Sequence, residues 1–283
     1  MVIRRVMRRL RRSEPLMLVD RGQSFFPVDL ATLLNEPRDS DALAWVFEGA
    51  ALIARSGQPP SGQLLQDAFA VGVVQATRAP RTYLEIGGGP PVDHSNTEAL
   101  DRLGWRGVVV EPNPHFADQY GEARSHHTKV RRVAVATGSR ESGQMTLVVA
   151  GELSYVEGFA PPPDDVWKPL RDRARKQGDT ITVDVIAPEA LWAEVVAALG
   201  VPSYLSIDVE GGELKILERL PLASQRPTVI TAETSLDLER AQAMDRILEP
   251  LGYQRFLRVG AQWDNWYVAQ ERLELLASGH GSQ

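Results

Sequence analysis

The chain contains no cysteine. That absence excludes disulfides, thiolate metal sites and cysteine nucleophiles together, and it suits a reducing compartment without ruling out export. Long apolar runs are missing as well. The longest, Ala42 to Ala54, holds 13 residues and is interrupted by Glu48, whereas roughly 20 are needed to cross a bilayer. The expectation is a soluble, cytoplasmic protein.

Of the 283 residues, 43% are hydrophobic, enough for a full core in one large α/β domain or two small ones. Charge is unevenly spread. The net value is −6, yet residues 1–12 hold six arginines and no acid, leaving 25 basic against 37 acidic residues in the remainder. On a helix, Val2, Ile3, Val6, Met7 and Leu10 would share one face and the arginines the other, the pattern of a membrane-surface helix. The same stripe would also let a terminal helix pack on its own domain. Peripheral membrane contact through residues 1–12 is therefore one expectation, and packing the other. No apolar signal-peptide core follows this tip. With so acidic a body, nucleic-acid binding has little support.

Behind an irregular stretch to about residue 38, periodicity predicts one helix over "DSDALAWVFEGAALIARSG" and a second starting at Ser61. Residues 1–60 read as a basic tip with a helical appendage, 61–272 as the main domain and 273–283 as a flexible tail. Within the main domain strands and helices alternate: strand 82–86, helix 96–103, strand 107–111, strand 131–136, then helix 188–199, strand 203–208, helix 213–220, strand 228–233 and helix 236–250. This is the rhythm of a parallel sheet whose loops bind ligands at the carboxyl ends of the strands. "YQRFLRV" and "NWYVAQ" predict an antiparallel hairpin closing the sheet. The segment 151–179, with three consecutive prolines, interrupts the rhythm and reads as a lid or acceptor loop.

Three glycines, Gly87 to Gly89, follow the first strand, where glycine lets the backbone turn and approach a ligand. Ser95 and Glu98 form an S-x-x-E capping box, so the next helix is expected to start beyond the turn. A dinucleotide site would place a sixth-position glycine where this chain has Val92. Pro90 and Pro91 have no N–H to offer a phosphate. Glu85 repels an anion and suits a cation, while Glu111, ending the second strand, stands where such folds grip ribose hydroxyls. A ligand with ribose, no phosphate and a positive centre describes S-adenosylmethionine better than NAD.

With "YLEIGGG", "SNTEALDRLGWRGVVVEPNP", "RRVAVA", "YLSIDVEGGELKILERL" and "RPTVITAET" in place, the chain resembles the FkbM-type S-adenosylmethionine-dependent methyltransferases over about residues 61–269. The resemblance implies a Rossmann-like class I methyltransferase fold: a mostly parallel seven-stranded sheet, helices on both faces and a C-terminal antiparallel hairpin. It implies methyl transfer to a hydroxyl of a sugar, glycan or natural product. By position it places Glu85, Gly87 and Gly89 along the methionine part, Asn96 and Thr97 nearby, and Glu111 on the ribose.

Asp208 and Glu233 end two strands expected to be neighbours, so their carboxylates should meet beside the cofactor. Mg²⁺ shared between them would explain the juxtaposition and would lower the pKa of a bound hydroxyl. Hydrogen bonding to loop amides would explain it equally. Asp208, as a cofactor contact and catalytic group, and His94, as general base near its ordinary pKa of about 6.5, are the candidate catalytic residues. Tyr155, Phe159, Trp167, Trp263 and Trp266 are candidate acceptor-pocket aromatics. His126 and His127 read as solvated. Two other functions stay open from sequence: a nicotinamide-dependent oxidoreductase, and a non-catalytic module that binds a glycan or a protein. The oligomeric state, a homo-oligomer included, is not encoded legibly.

Overall fold

The computed structural model describes residues 39–136, 142–158, 168–258 and 263–279. The basic tip, Phe159 and Trp167 lie outside these residues. The strands are β1 (Thr82–Ile86), β2 (Arg106–Val110), β3 (Thr128–Arg131), β4 (Ala134–Val135), β5 (Ser142–Val148), β6 (Tyr155–Val156), β7 (Thr180–Ile186), β8 (Tyr204–Ile207), β9 (Val229–Glu233), β10 (Tyr253–Phe256) and β11 (Asp264–Ala269). The helices are α1 (Asp39–Ala54), α2 (Gln66–Thr77), α3 (Glu98–Arg102), α4 (Pro114–Ala117), α5 (Tyr120–Ala123), α6 (Lys168–Gln177), α7 (Pro188–Leu199), α8 (Glu213–Arg219), α9 (Leu238–Leu248) and α10 (Gln270–Gly279).

Seven strands form the main sheet in the order β10-β11-β9-β8-β1-β2-β3. All its neighbours pair in parallel except β11, which runs antiparallel to both β9 and β10. Strand alternation divides the core in two. Tyr83, Val109, Tyr204, Val229 and Trp266 face α1, α2 and α3. Leu84, Ile86, Leu205, Ile207, Ile230 and Tyr267 face α7, α8 and α9.

α1 belongs to the first of these layers. A Cβ on Gly49 would stand 1.9 Å from the Ala68 carbonyl oxygen, and one on Gly72 1.9 Å from that of Trp45. Two glycines thus bring α1 and α2 into backbone contact. The helix expected to be an appendage shares, over residues 39–54, the core of the main sheet.

Several boundaries differ from the sequence reading. α2 begins at Gln66, not Ser61, because the Asp67 carboxylate takes the Ser61 and Gly62 amides and folds that stretch into a turn. The Ser95–Glu98 capping box does not form. Arg124 donates to Ser95 Oγ at 2.6 Å and Arg102 to Glu98 Oε1 at 2.7 Å, so both side chains are engaged elsewhere. The tail expected from residue 273 is helical through Gly279, anchored by Leu273 on the core.

The third parallel strand is Thr128–Arg131, so the predicted 131–136 strand is displaced. Its apolar end, Ala134–Val135, pairs instead with β7 in a second, four-stranded sheet of order β4-β7-β5-β6. β5 and β7 pair antiparallel over seven residues each. This sheet has its own small core of Ala134, Ala136, Leu147, Val156, Val183 and Val185.

Candidate active site

The carboxyl ends of β1, β2, β8 and β9 open into a cleft of about 570 Å³, a size suited to a cofactor or small molecule. The second sheet supplies the opposite wall through Val135, Leu147, Tyr155 and Val156.

The three glycines have different reasons to be glycine. At Gly87, φ is +86° and a Cβ would lie 1.6 Å from the Asp208 carbonyl oxygen. At Gly88 a Cβ would lie 2.3 Å from Val109 Cγ1 and 2.4 Å from the Tyr120 hydroxyl. Only Gly89, at φ +55°, faces open space. The first two serve packing within the protein; the third keeps the cleft clear.

Behind the turn, Glu85 is buried and accepts a hydrogen bond from Thr97 Oγ1 at 2.5 Å. Burial raises its carboxyl to about 7, against the opposing pull of the Arg124 charge and the Thr97 and Asn96 hydrogen bonds. Arg124 itself is buried, stacks over the Tyr120 ring, and donates to Pro91 O at 2.6 Å, Ser95 Oγ at 2.6 Å and Thr97 Oγ1 at 3.4 Å. The Tyr120 hydroxyl donates to Gly88 O at 2.9 Å. Together Tyr120 and Arg124 brace the loop from Gly88 to Thr97. Nothing local in the sequence marks Arg124 for this role, since an isolated arginine after a short helix carries no motif.

Glu85, Gly87, Gly89, Asn96, Glu111, His94, Asp208 and Glu233 all line the cleft. Thr97 does not; it stands behind Glu85 and can act only through it. Glu111 accepts the Gly89 amide at 2.7 Å and the Asn113 amide at 2.7 Å. Burial raises its carboxyl to about 7, with both amides opposing. Asn96 donates to Ser206 Oγ at 3.1 Å, but its Oδ1 is buried with no hydrogen-bond partner among the described residues. Asn96 is 7% exposed and lines the cleft, so this oxygen is an acceptor without a donor.

Parallel pairing of Ile207 with Ala232 brings the next residues, Asp208 and Glu233, together as the strand order predicts. Glu210 joins them: oxygens of the three carboxylates lie within 4.8 Å of one another. Burial, then the neighbouring carboxylates, pushes Asp208 and Glu233 well above the usual carboxylate range. The Glu233 side chain opposes the rise at Asp208, and the Ser235 hydroxyl opposes that at Glu233. Glu210 is ion-paired with Arg171 of α6. The loop is held by Glu213, fully buried, which accepts the Val209 and Gly211 amides at 3.0 Å each and pairs with Arg240 at 2.9 Å. The third acid of the I-D-V-E-G-G-E run, Glu213, thus shapes the loop that presents the first two.

His94 takes a left-handed backbone, φ +59°, and its Nδ1 lies 3.1 Å from Glu152 Oε2. Glu152, on the β5–β6 turn, had no signal of its own. Tyr155 and Trp263 line the cleft as expected. Trp266 does not: it is 3% exposed and stacks on Phe69 at 4.8 Å between centroids, in the core under α2. Its place on β11 points it to the α1–α2 side of the sheet.

No helix among the described residues is long and apolar enough to cross a membrane. No solved structure matches the chain. A 2-C-methyl-D-erythritol 4-phosphate cytidylyltransferase of Pseudomonas fluorescens is 27% identical over 158 residues, which is 54% of this chain. The match spans 63% of the length of that relative. The model of the methyltransferase FkbM domain matches residues 85–255, from the acid of β1 to the middle of β10. With well over half of its length so matched, the chain belongs to the FkbM methyltransferase family.

Proposed function

We propose that the protein is an S-adenosylmethionine-dependent O-methyltransferase acting on a hydroxylated small molecule. The observation that carries the cofactor is the joining of the glycine turn to Glu111 by the 2.7 Å Gly89 amide bond, at one end of a cleft lined by no lysine or arginine among the described residues. A ribose with no phosphate suits such a wall. Asn96 Oδ1, an acceptor lacking a donor, suits the cofactor's ammonium group, and the open space at Gly89 leaves room for it. The strand order, with one antiparallel strand second from the edge, agrees with a Rossmann-like class I methyltransferase.

When bound, the cofactor supplies an electrophilic methyl group on a positive sulfur. Glu111 would hold the ribose hydroxyls, Glu85 and Asn96 the methionine end. Asp208, backed by Glu233, is the proposed acceptor of the hydroxyl proton, with His94 the second candidate across the cleft. The apolar wall of Leu147, Tyr155 and Val156 is the proposed acceptor side. Mg²⁺ on Asp208 and Glu233 is the second reading of the carboxylate cluster, favoured by the 4.8 Å grouping. Calorimetry with S-adenosylmethionine and with NAD tests the cofactor assignment; tight NAD binding with none of S-adenosylmethionine would sink it. A screen of hydroxylated acceptors with radiolabelled methyl donor then tests the transfer.

A further inference from the structure

The cleft lining has a lopsided chemistry. Glu85, Glu111, Glu152, Asp208, Glu210 and Glu233 all contribute to it, and His94 is its one side chain able to carry positive charge among the described residues. Most of these acids are answered from within the protein. Glu85 has Thr97 and the charge of Arg124, Glu111 has two amides, Glu152 has His94, and Glu210 has Arg171. Among the described residues Asp208 and Glu233 have no such answer. Ser235 donates to Glu233 Oε1 at 2.8 Å, but Oε2 is buried with no donor among the described residues, and Glu210, Glu213 and Asp264 add further negative charge around the pair.

A second, independent observation points the same way. Asn96 Oδ1 is buried in the same cleft with no donor among the described residues. Unmet acceptors at both places mean that the missing donors and the missing positive charge come with the ligand. The pair is adjacent to the cofactor turn, because the Asp208 backbone occupies the space a Gly87 side chain would need.

Resting on the reading that this cleft binds S-adenosylmethionine, we infer that Asp208 and Glu233 form a charge-reading subsite that favours the cationic cofactor over its neutral product. Methyl transfer removes that charge. The acceptor oxygen forms a bond to the methyl carbon, the carbon–sulfur bond breaks, and its electron pair stays on sulfur as a neutral thioether. The hydroxyl proton passes to the carboxylate pair. Both changes weaken the attraction between the pair and the spent cofactor, so the reaction itself promotes release. The subsite also sets the acceptor class: a neutral or cationic hydroxyl compound enters, and a phosphate- or carboxylate-bearing one is repelled.

The test is calorimetry on the full chain in chelator, with three probes: S-adenosylmethionine, S-adenosylhomocysteine, and sinefungin, which carries an ammonium group in place of the methylated sulfur. Both cationic probes should bind at least about tenfold more tightly than S-adenosylhomocysteine, a modest requirement for one charge beside a half-shielded carboxylate pair. Asp208→Asn and Glu233→Gln should each shrink that ratio by weakening the cationic probes, while S-adenosylhomocysteine affinity, unchanged, shows that the cleft is intact. Equal affinity of all three probes for the unaltered protein would overturn the inference and leave the cofactor reading standing. A ratio that survives both substitutions would also overturn it, as would one seen only after Mg²⁺ is added, which assigns the pair to a metal. Binding of none of the probes would remove the cofactor reading itself.

Discussion

The carbonyl oxygen of Asp208 fills the space beside Gly87 so completely that a Cβ there would approach it to 1.6 Å. The turn after β1 and the end of β8 are therefore one rigid unit. Gly87→Ala should destabilise the protein by more than about 2 kcal/mol, since backbone must move and φ is +86°. Gly89→Ala meets open space and should cost only the left-handed strain of about 1–2 kcal/mol. Its Cβ, however, enters the cleft. Thermal unfolding and cofactor titration on the two variants should separate: the first loses stability, the second mainly affinity.

Arg124 holds three acceptors, Pro91 O, Ser95 Oγ and Thr97 Oγ1, of the loop after the glycine turn. Arg124→Gln should cost about 2–3 kcal/mol, because a buried charged donor is lost and its acceptors stay buried. Arg124→Lys keeps the charge but cannot span Pro91, Ser95 and Thr97. Amide exchange across residues 88–97 should rise in both variants, while exchange in β10 and β11 stays as it was. Unchanged exchange in the loop would show that the brace is dispensable.

Glu85 and Glu111 are both raised from 4.5 to about 7 by burial. In the unfolded chain they ionise near 4.5, so between pH 4.5 and 7 the native state holds protons that the unfolded state has lost. Stability should fall as pH rises through that window and level off above it. Cofactor affinity should move the opposite way, rising with pH as the two carboxylates become able to meet a ribose and a cation. Glu85→Gln should flatten part of the stability slope, and Glu111→Ala should weaken S-adenosylmethionine binding at least about tenfold with the fold retained. An affinity independent of pH from 5 to 8 would contradict the assignment of both.

Chelation tests the second reading of the carboxylate cluster. If Mg²⁺ is required, excess chelator should stop methyl transfer without lowering S-adenosylmethionine affinity, and added Mg²⁺ should restore turnover. If the carboxylate pair acts alone, turnover should persist in chelator, and Asp208→Asn should lower kcat far more than it raises KM for the cofactor.

Much of the frame was legible because periodicity follows from packing. β2, β8 and β9 appear where apolar runs end in an acid, and Asp208 and Glu233 could be paired before any coordinates, since adjacent parallel strands end together. The strands of the second sheet, in "MTLVVA" and "TITVDVIA", carry an apolar signal of their own, but their pairing was not legible. β5 and β7 find each other across more than 30 residues with no tight turn between them, and no local pattern records such a pairing. For the same reason "RRVAVA" read as one strand although its two ends serve two sheets. Glu213 was visible in the motif, but its role as a backbone clamp depends on how the loop curls around it. Arg124 and Glu152 are surface-like letters in sequence, and only tertiary placement gives them partners.

The four-stranded sheet leaves the main frame at β4 and returns at β7, and these two strands pair side by side, Ala134 with Val185 and Val135 with Ile186. Entry and exit therefore share one doorway, and the described residues between them reach the main frame elsewhere through side chains such as Glu152 on His94 and Arg171 on Glu210. Lengthening or reshaping the β5–β6 turn, which carries Glu152 and leads to Tyr155, need not shift the register of any strand in the seven-stranded sheet. Such an arrangement allows the wall opposite the glycine turn to be exchanged as a cassette while the turn and the strands that carry it are inherited intact.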